Sequence, residues 1–370
     1  MKRWVMAVGE NPLRIMRVAH QLQPVEIAAI TTPETAYLVP EIEAAMAEMG
    51  IDASIRVVLG DAYRWDVTHA ALADVIGGQA EEWQWMIAGG TKPIVAAQVS
   101  AASGAEGQVW TLDDSAGVLQ SWTGARIRLE PPGSNIGLRT LARLHAGLEV
   151  ELDTRFRPPP TPDAVDRRVL KKRLLAWQGT TGHAPRNSQK AGVEKGDGGE
   201  DERRFHTNRE AEADFLVLVR ALLPTDVDVF GGTTVVLRDS TDPRRPAPDP
   251  FVSRQEGHPP RTFEVDGVVI HGFDAWVLEY KNSKVHGLEL RKHAAELDIR
   301  RRHLGGDSAV GVLATVTRGP DDDPEVEQPL SGRQFQLGRT WHVDQPLLVE
   351  AANLWLRGQG EHSRLQQLFD

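Results

Sequence analysis

The stretch FEVDGVVIHGFDAWVLEYKN, Phe263 to Asn282, restricts the fold more than any other part of the chain. Apolar runs on both sides of a turn that holds Asp274 predict two antiparallel strands joined as a short hairpin. Alternation on the second strand puts Val277, Glu279 and Lys281 on one face and Trp276, Leu278 and Tyr280 on the other. An acid and a base therefore share a face, beside the strand that carries Asp266. Two carboxylates from adjacent strands can hold one hard, oxygen-seeking divalent cation, and a lysine next to them can position a water or offset charge on a phosphate. That set of groups suits phosphodiester cleavage. The same alternation also describes an edge hairpin with a solvated polar face, so the flanking sequence has to decide.

Upstream, Glu210 to Pro224 carries Phe215, Val219 and Leu222 at helical spacing, with Glu212 near its start and proline as its stop. Val227 to Phe230 and Thr233 to Leu237 predict paired strands around a Gly231-Gly232 turn. Beyond the hairpin, Leu288 to Arg302 predicts a helix and Ala309 to Val316 a strand. Helix, strand, strand with Asp, strand with Glu-x-Lys, helix and strand is the order of the PD-(D/E)xK nuclease core, which this region resembles. Asp266, Glu279 and Lys281 match that motif residue for residue, while Val265 replaces its proline. The resemblance implies Mg or Mn held by Asp266, Glu279 and Tyr280, with Lys281 catalytic and Glu212 orienting the metal. Glu212 fits equally as a charge favoured at a helix start, and Glu210 is its rival.

Charge and composition bound the function. The 370 residues suffice for two cores of ordinary size, and the absence of cysteine excludes disulfides and thiolate zinc sites. No apolar run reaches the length of a membrane span and the first ten residues break too soon for a signal peptide, so the cytoplasm is the expected location. A net charge of -10 argues against broad coating of nucleic acid; any such contact must be local.

The N-terminal part has a different texture. Short apolar runs meet loops three times: Trp4 to Val8 at Gly9-Glu-Asn11-Pro12, Ile27 to Ile30 at Thr31-Thr32-Pro-Glu-Thr35, and Trp85 to Ala88 at Gly89-Gly90-Thr91-Lys92. Helical patterns at Leu13 to Gln21, Ala36 to Met49 and Val67 to Ile76 lie between them. Alternating strands and helices predict a parallel, Rossmann-like sheet, with the three loops at the carboxyl ends of its strands. No G-x-G-x-x-G opens the first helix, which argues against a nicotinamide cofactor. Gly89 to Lys92 instead offers backbone N–H groups, a hydroxyl and an ammonium at a helix start, a set suited to a phosphate or ribose edge, although such a tetrapeptide can also be only a turn.

Together, the Asn11-Pro12-Leu13 loop, the Thr31-x-x-x-Thr35 loop with Thr32, and Gly89-Gly90-Thr91-Lys92 resemble the CRISPR-associated Rossmann (CARF) domain. That resemblance implies a pocket for a cyclic oligoadenylate on the two-fold axis of a homodimer. The expected fold class is α/β: a Rossmann-like CARF domain over 1–130, a connector over 131–205, and a restriction-endonuclease-like domain over 206–370. The whole chain looks like the ancillary nucleases of type III CRISPR systems, which implies activation by cyclic tetra-adenylate and a nucleic-acid substrate, RNA or DNA. Residues 1–130 hold 9 Lys plus Arg against 16 Asp plus Glu, a balance of -7 that suits a small ligand held by local donors.

Other features keep two readings. Leu138 to Leu144 and Ala164 to Trp177 predict helices, the second with a basic cluster that is either a solvated face or a phosphate contact. Gln178 to Arg204 predicts a mobile segment, and Asp239 to Pro260 an insertion that either gates substrate or is inert. Arg14 and Arg17 are placed to reach a ligand phosphate, Arg291 is a candidate phosphate clamp beside His293, and Arg300 to His303 reads as a solvated helix end. Two other functions compete with the nuclease: a ligand sensor that binds nucleic acid without cutting it, and a ring nuclease that degrades the cyclic ligand.

Overall fold

The computed structural model describes residues 2–9, 11–105, 108–114, 116–146, 149–156, 212–238, 261–281, 287–315 and 339–369. The expectations for the helix at Ala164 to Trp177 and for the segments 178–204 and 239–260 lie outside these residues, as does Glu210.

The first sheet takes the order β3-β2-β1-β4-β5-β6-β7. Its parallel strands are β1 (Arg3–Ala7), β2 (Glu26–Thr31), β3 (Ser54–Leu59), β4 (Trp83–Met86) and β5 (Val109–Asp113), and β6 (Val118–Ser121) and β7 (Arg126–Arg128) continue it antiparallel. Helices α1 (Leu13–Leu22) and α2 (Leu38–Glu48) cover one face, and α3 (Trp65–Ile76) and α4 (Lys92–Ala101) the other. β1 states the reason in its sequence: Trp4 and Met6 pack with α1 and α2, Val5 and Ala7 with α3 and α4, so both faces of a parallel strand are apolar.

The second sheet runs β13-β12-β11-β10-β9-β8. It comprises β8 (Glu149–Phe156), β9 (Asp228–Arg238), β10 (Arg261–His271), β11 (Asp274–Lys281), β12 (Val310–Thr315) and β13 (Thr340–Val343). α7 (Gly287–Gly305) packs on one face, while α6 (212–222) and α8 (Gln345–Leu356) bury the other around Phe215, Trp276, Leu278 and Tyr280. The Gly231-Gly232 turn expected from the sequence does not form. These glycines lie inside the continuous strand β9, because β8 supplies the antiparallel partner on one side and β10 on the other. Gly232 takes φ +50° and drops out of both ladders, directly opposite Asp266. Phe263, Val265, Val268 and Ile270 all pack into one core although their parity changes, so the alternation of β10 slips by one across Asp266-Gly267.

A helix from the predicted connector, α5 (Leu138–Ala146), joins the two sheets. Its buried Leu138, Leu141, Ala142 and Leu144 belong to one hydrophobic cluster with Trp4, Ile42 and Met46 of the first half and Val277, Leu290 and Leu297 of the second. Polar contacts fix its start: the Glu48 carboxylate accepts from the Gly137 N–H at 2.6 Å and the Thr140 hydroxyl at 2.5 Å, and Arg143 pairs with Glu41 at 2.9 Å. Just before it, the Asn135 side chain donates to the Asp226 carbonyl at 2.7 Å and accepts from the Gly272 N–H at 2.7 Å, holding the β10–β11 turn. Because this core crosses between the sheets, the halves should melt together. Leu141→Ala, at a fully buried position, should cost about 2–5 kcal/mol and lower a single calorimetric transition; two transitions, only one of which moves, would contradict a shared core.

Candidate active site and ligand pocket

β11 is flanked by β10 and β12, and its register sets Gly267 against Leu278, which places Asp266 across from Glu279. Asp266 accepts from the Tyr280 N–H at 2.5 Å. Glu279 is 4 % exposed. A buried carboxylate needs its charge compensated, and both oxygens meet cations: Lys281 Nζ lies 2.5 Å from Oε1 and Arg300 Nη1 2.8 Å from Oε2. Burial, then the charges of Glu279 and Glu212, push the Asp266 carboxyl up to about 7, against the opposing pull of the Tyr280 N–H and Lys281. Glu212, at the start of α6, is thus close enough to be felt at Asp266.

The donor set fits one hard cation: two facing carboxylates, a third acid within electrostatic reach, and crowding that a positive ion would relieve. Among the described residues no group of three or more His, Asp or Glu side chains forms a complete metal cage. A single ion held by Asp266 and Glu279 would complete its coordination with main-chain oxygen, water and substrate, as Mg commonly does. Tyr280 offers no side-chain ligand, since its ring stacks on Phe215 at 5.4 Å and burial raises its hydroxyl pKa; its main-chain carbonyl is the donor left.

Of the Arg300-Arg301-Arg302 run, Arg302 is solvated as expected, but Arg300 and Arg301 are not. Arg300 meets Glu279, and Arg301 is 3 % exposed and bonds Asp298 and the Gly306 and Ala309 carbonyls. The signal was in the periodicity: buried Leu290, Ala294, Leu297 and Leu304 form a stripe on which Arg301 falls, with Arg300 at its edge. Arg291 is exposed, and His293 faces Glu289 and Glu296 of its own helix at 4.0 and 3.6 Å.

The second cluster lies at the carboxyl ends of β1, β2 and β4, which are neighbours in the first sheet. Gly89 and Gly90 take φ +98° and +81°, and a Cβ on Gly90 would come 3.0 Å from Ile94. Only glycine turns tightly enough there to start α4 at Lys92. Thr91 gives its hydroxyl to the Ala62 carbonyl and does not cap α4, so the helix-start N–H groups keep no side-chain partner from it. Lys92 is exposed at the start of α4. A Cβ on Gly9 would lie 3.3 Å from the Gly90 nitrogen, so the first and fourth strand loops touch. Thr32 and Thr35 engage each other: the Thr32 N–H donates to the Thr35 hydroxyl at 3.0 Å. Asn11 Oδ1 and Thr31 Oγ1 are buried without a hydrogen-bond partner among the described residues. Pro12 and Leu13 are buried, Leu13 in the core, so their side chains do not line a pocket. Arg14 pairs with Asp114 at 2.5 Å beside Gly89, and Arg17 faces away from the loops, paired with Asp274 at the start of β11.

No family model and no curated protein matches the chain. Solved structures do. Can2 from Sulfobacillus thermosulfidooxidans, solved with cyclic tetra-adenylate, superposes with a TM-score of 0.65 at 13 % identity, over 96 % of this chain and 99 % of that one. The chain has the fold of that protein. VC1899 from Vibrio cholerae superposes with a TM-score of 0.61 at 13 % identity, over 97 % of this chain and 98 % of its own. A type III CRISPR defence DNA nuclease activated by cyclic oligoadenylate matches with a TM-score of 0.50 at 16 % identity, over 85 % of this chain but 45 % of that one. The chain thus shares its fold with these structures, and the α/β class expected from the sequence holds. Among the described residues no helix is long and apolar enough to cross a membrane.

The Asp266 pKa carries a stability consequence. A carboxyl raised from 3.8 to about 7 in the fold contributes stability at low pH, and that contribution is lost as pH rises between those values. Asp266→Asn avoids burying the ionised form. In EDTA the variant should melt at or near the parent temperature around pH 4 and be more stable at about pH 8, by on the order of 2 kcal/mol; an advantage that shrinks as pH rises would contradict this assignment.

Proposed function

We propose that the chain is a nuclease dependent on Mg or Mn and activated by cyclic tetra-adenylate, acting on RNA or DNA in type III CRISPR defence. The observation that carries the reading is the facing pair Asp266 and Glu279 with Lys281 at 2.5 Å, in a chain whose other sheet gathers three loops around Gly89 to Lys92. Asp266 and Glu279 would hold the ion, which when bound supplies Lewis-acid polarisation of the phosphate and a more acidic water. Lys281 would orient the attacking water and offset charge on the phosphate. Glu212 adds negative potential at the site.

In the first half, the uncapped start of α4 supports an anionic ligand, with Lys92 placed for its phosphate, and the orphaned acceptor Asn11 Oδ1 would take a hydroxyl or base N–H of that ligand. A cyclic, two-fold symmetric ligand read by the same loops twice calls for a homodimer, with Asn11, Thr32, Thr35, Gly89, Gly90, Thr91 and Lys92 contributed by each copy. Tyr63 and Trp65, 88 % and 51 % exposed, flank the Ala62 carbonyl that Thr91 binds and offer apolar surface next to the loops. Activation is a coupling between the halves of about 1–3 kcal/mol, and α1 offers its route: Leu13 opens the helix at the pocket, and Arg17 one turn on grips the strand that ends in Lys281.

Two variants test the reading. Glu279→Gln should abolish cleavage, as chelation by EDTA should, while leaving cyclic tetra-adenylate binding at parent affinity; a fully active Glu279→Gln removes this site from the mechanism. Lys92→Ala should remove activation at low ligand concentration yet keep the parent's ligand-independent rate, since it touches nothing near Glu279. Ligand dependence unchanged in Lys92→Ala would show that this lysine does not read the activator.

A further inference from the structure

We propose that Arg300 is a positioning residue of the nuclease site, fixing the Glu279 carboxylate in the orientation from which it takes a divalent cation. The inference rests on Asp266 and Glu279 being the metal ligands. An interior carboxylate can rotate about its last bond unless an oxygen is tied by a donor of fixed direction. Lys281 does not supply that donor. It sits two residues away on the same strand, and its ammonium is a point charge on a flexible stem. Arg300 comes from a different element, and its guanidinium presents planar, directed N–H groups, one of them 2.8 Å from Glu279 Oε2.

The backbone that launches it is held rigidly. Leu297 is fully buried one turn before, and the neighbouring Arg301 is locked by Asp298 at 2.6 Å and by the Ala309 carbonyl at 2.9 Å. Tying Oε2 from α7 leaves the orientation of Oε1, on the Lys281 side, determined. Groups that orient a metal ligand from behind typically govern affinity by about 10- to 100-fold. A purely structural ion pair, stapling α7 to β11, makes a different prediction: its loss would lower stability and leave metal affinity alone. Lys281 stays on Glu279 in an Arg300 variant, so the buried charge keeps a partner and the fold should persist.

The experiment uses the full chain without nucleic acid or cyclic ligand. Mn binding is measured by titration calorimetry for the parent, Arg300→Met and Arg300→Lys, with thermal unfolding in EDTA alongside. Arg300→Met should stay folded at the titration temperature and bind Mn about 10- to 100-fold more weakly, and Arg300→Lys, which keeps the charge but loses the directed N–H, should fall between it and the parent. If Arg300→Met melts early, Arg300→Lys carries the comparison, with weakened Mn binding at the parent's melting temperature as the supporting result. Mn affinity equal to or tighter than the parent's in the folded variants overturns the positioning role. A parent that binds no Mn overturns the metal-site reading and this inference together, whereas a parent that binds Mn with variants that match it overturns this inference alone.

Discussion

A negative charge buried in the interior of the second sheet is the constraint on which much of this molecule depends. Glu279 sits on a strand flanked on both sides, almost out of solvent, and an uncompensated carboxylate there would cost several kcal/mol. Its neighbours answer that cost. Lys281 comes from the same strand and Arg300 from the helix that covers this face, so the sheet and α7 are tied by charge as well as by the apolar stripe of Leu290, Ala294 and Leu297. Asp266 across the hairpin is left less fully compensated, and its raised pKa records it. A site that concentrates carboxylates beyond their local cations is prepared for a positive ion.

The second constraint is continuity. α5 is gripped by α2 through Glu48 and Glu41 and packs against α7, so the pocket loops and the carboxylate pair belong to one packed body. Interfaces of this kind shift between discrete arrangements more readily than they deform. The ion pair of Arg17 with Asp274 and the Asn135 bridge to Gly272 both act at the start of β11, so a shift of α1 would reach the strand of Glu279 and Lys281 from its far end.

Much of this was legible in the sequence because the signals were local. The period-2 alternation of β11 through Glu279 and the Gly-Gly that must precede α4 require no knowledge of distant residues. The misreadings share a non-local cause. Gly231-Gly232 looks like a turn until β8, from a stretch read as connector, arrives to pair with β9. Arg17 looks like a ligand contact until Asp274 is brought beside it from far along the chain. Arg300 and Arg301 look solvated in a charged run, and only the helical stripe, followed through Arg301, shows them turned inward. Edge strand β3 was missed because Ser54 and Arg56 interrupt its apolar run, although Val57, Val58 and Leu59 favour a strand.

The central claim is that one chain senses a cyclic nucleotide and cuts nucleic acid in response. Its most direct test is cleavage of labelled single-stranded RNA, single-stranded DNA and supercoiled plasmid by the parent protein with Mn, in the presence and absence of cyclic tetra-adenylate. The account predicts cutting of at least one of these polymers that depends on both the metal and the cyclic ligand. Cutting at the same rate with and without the ligand, or none on any polymer with both present, would contradict it.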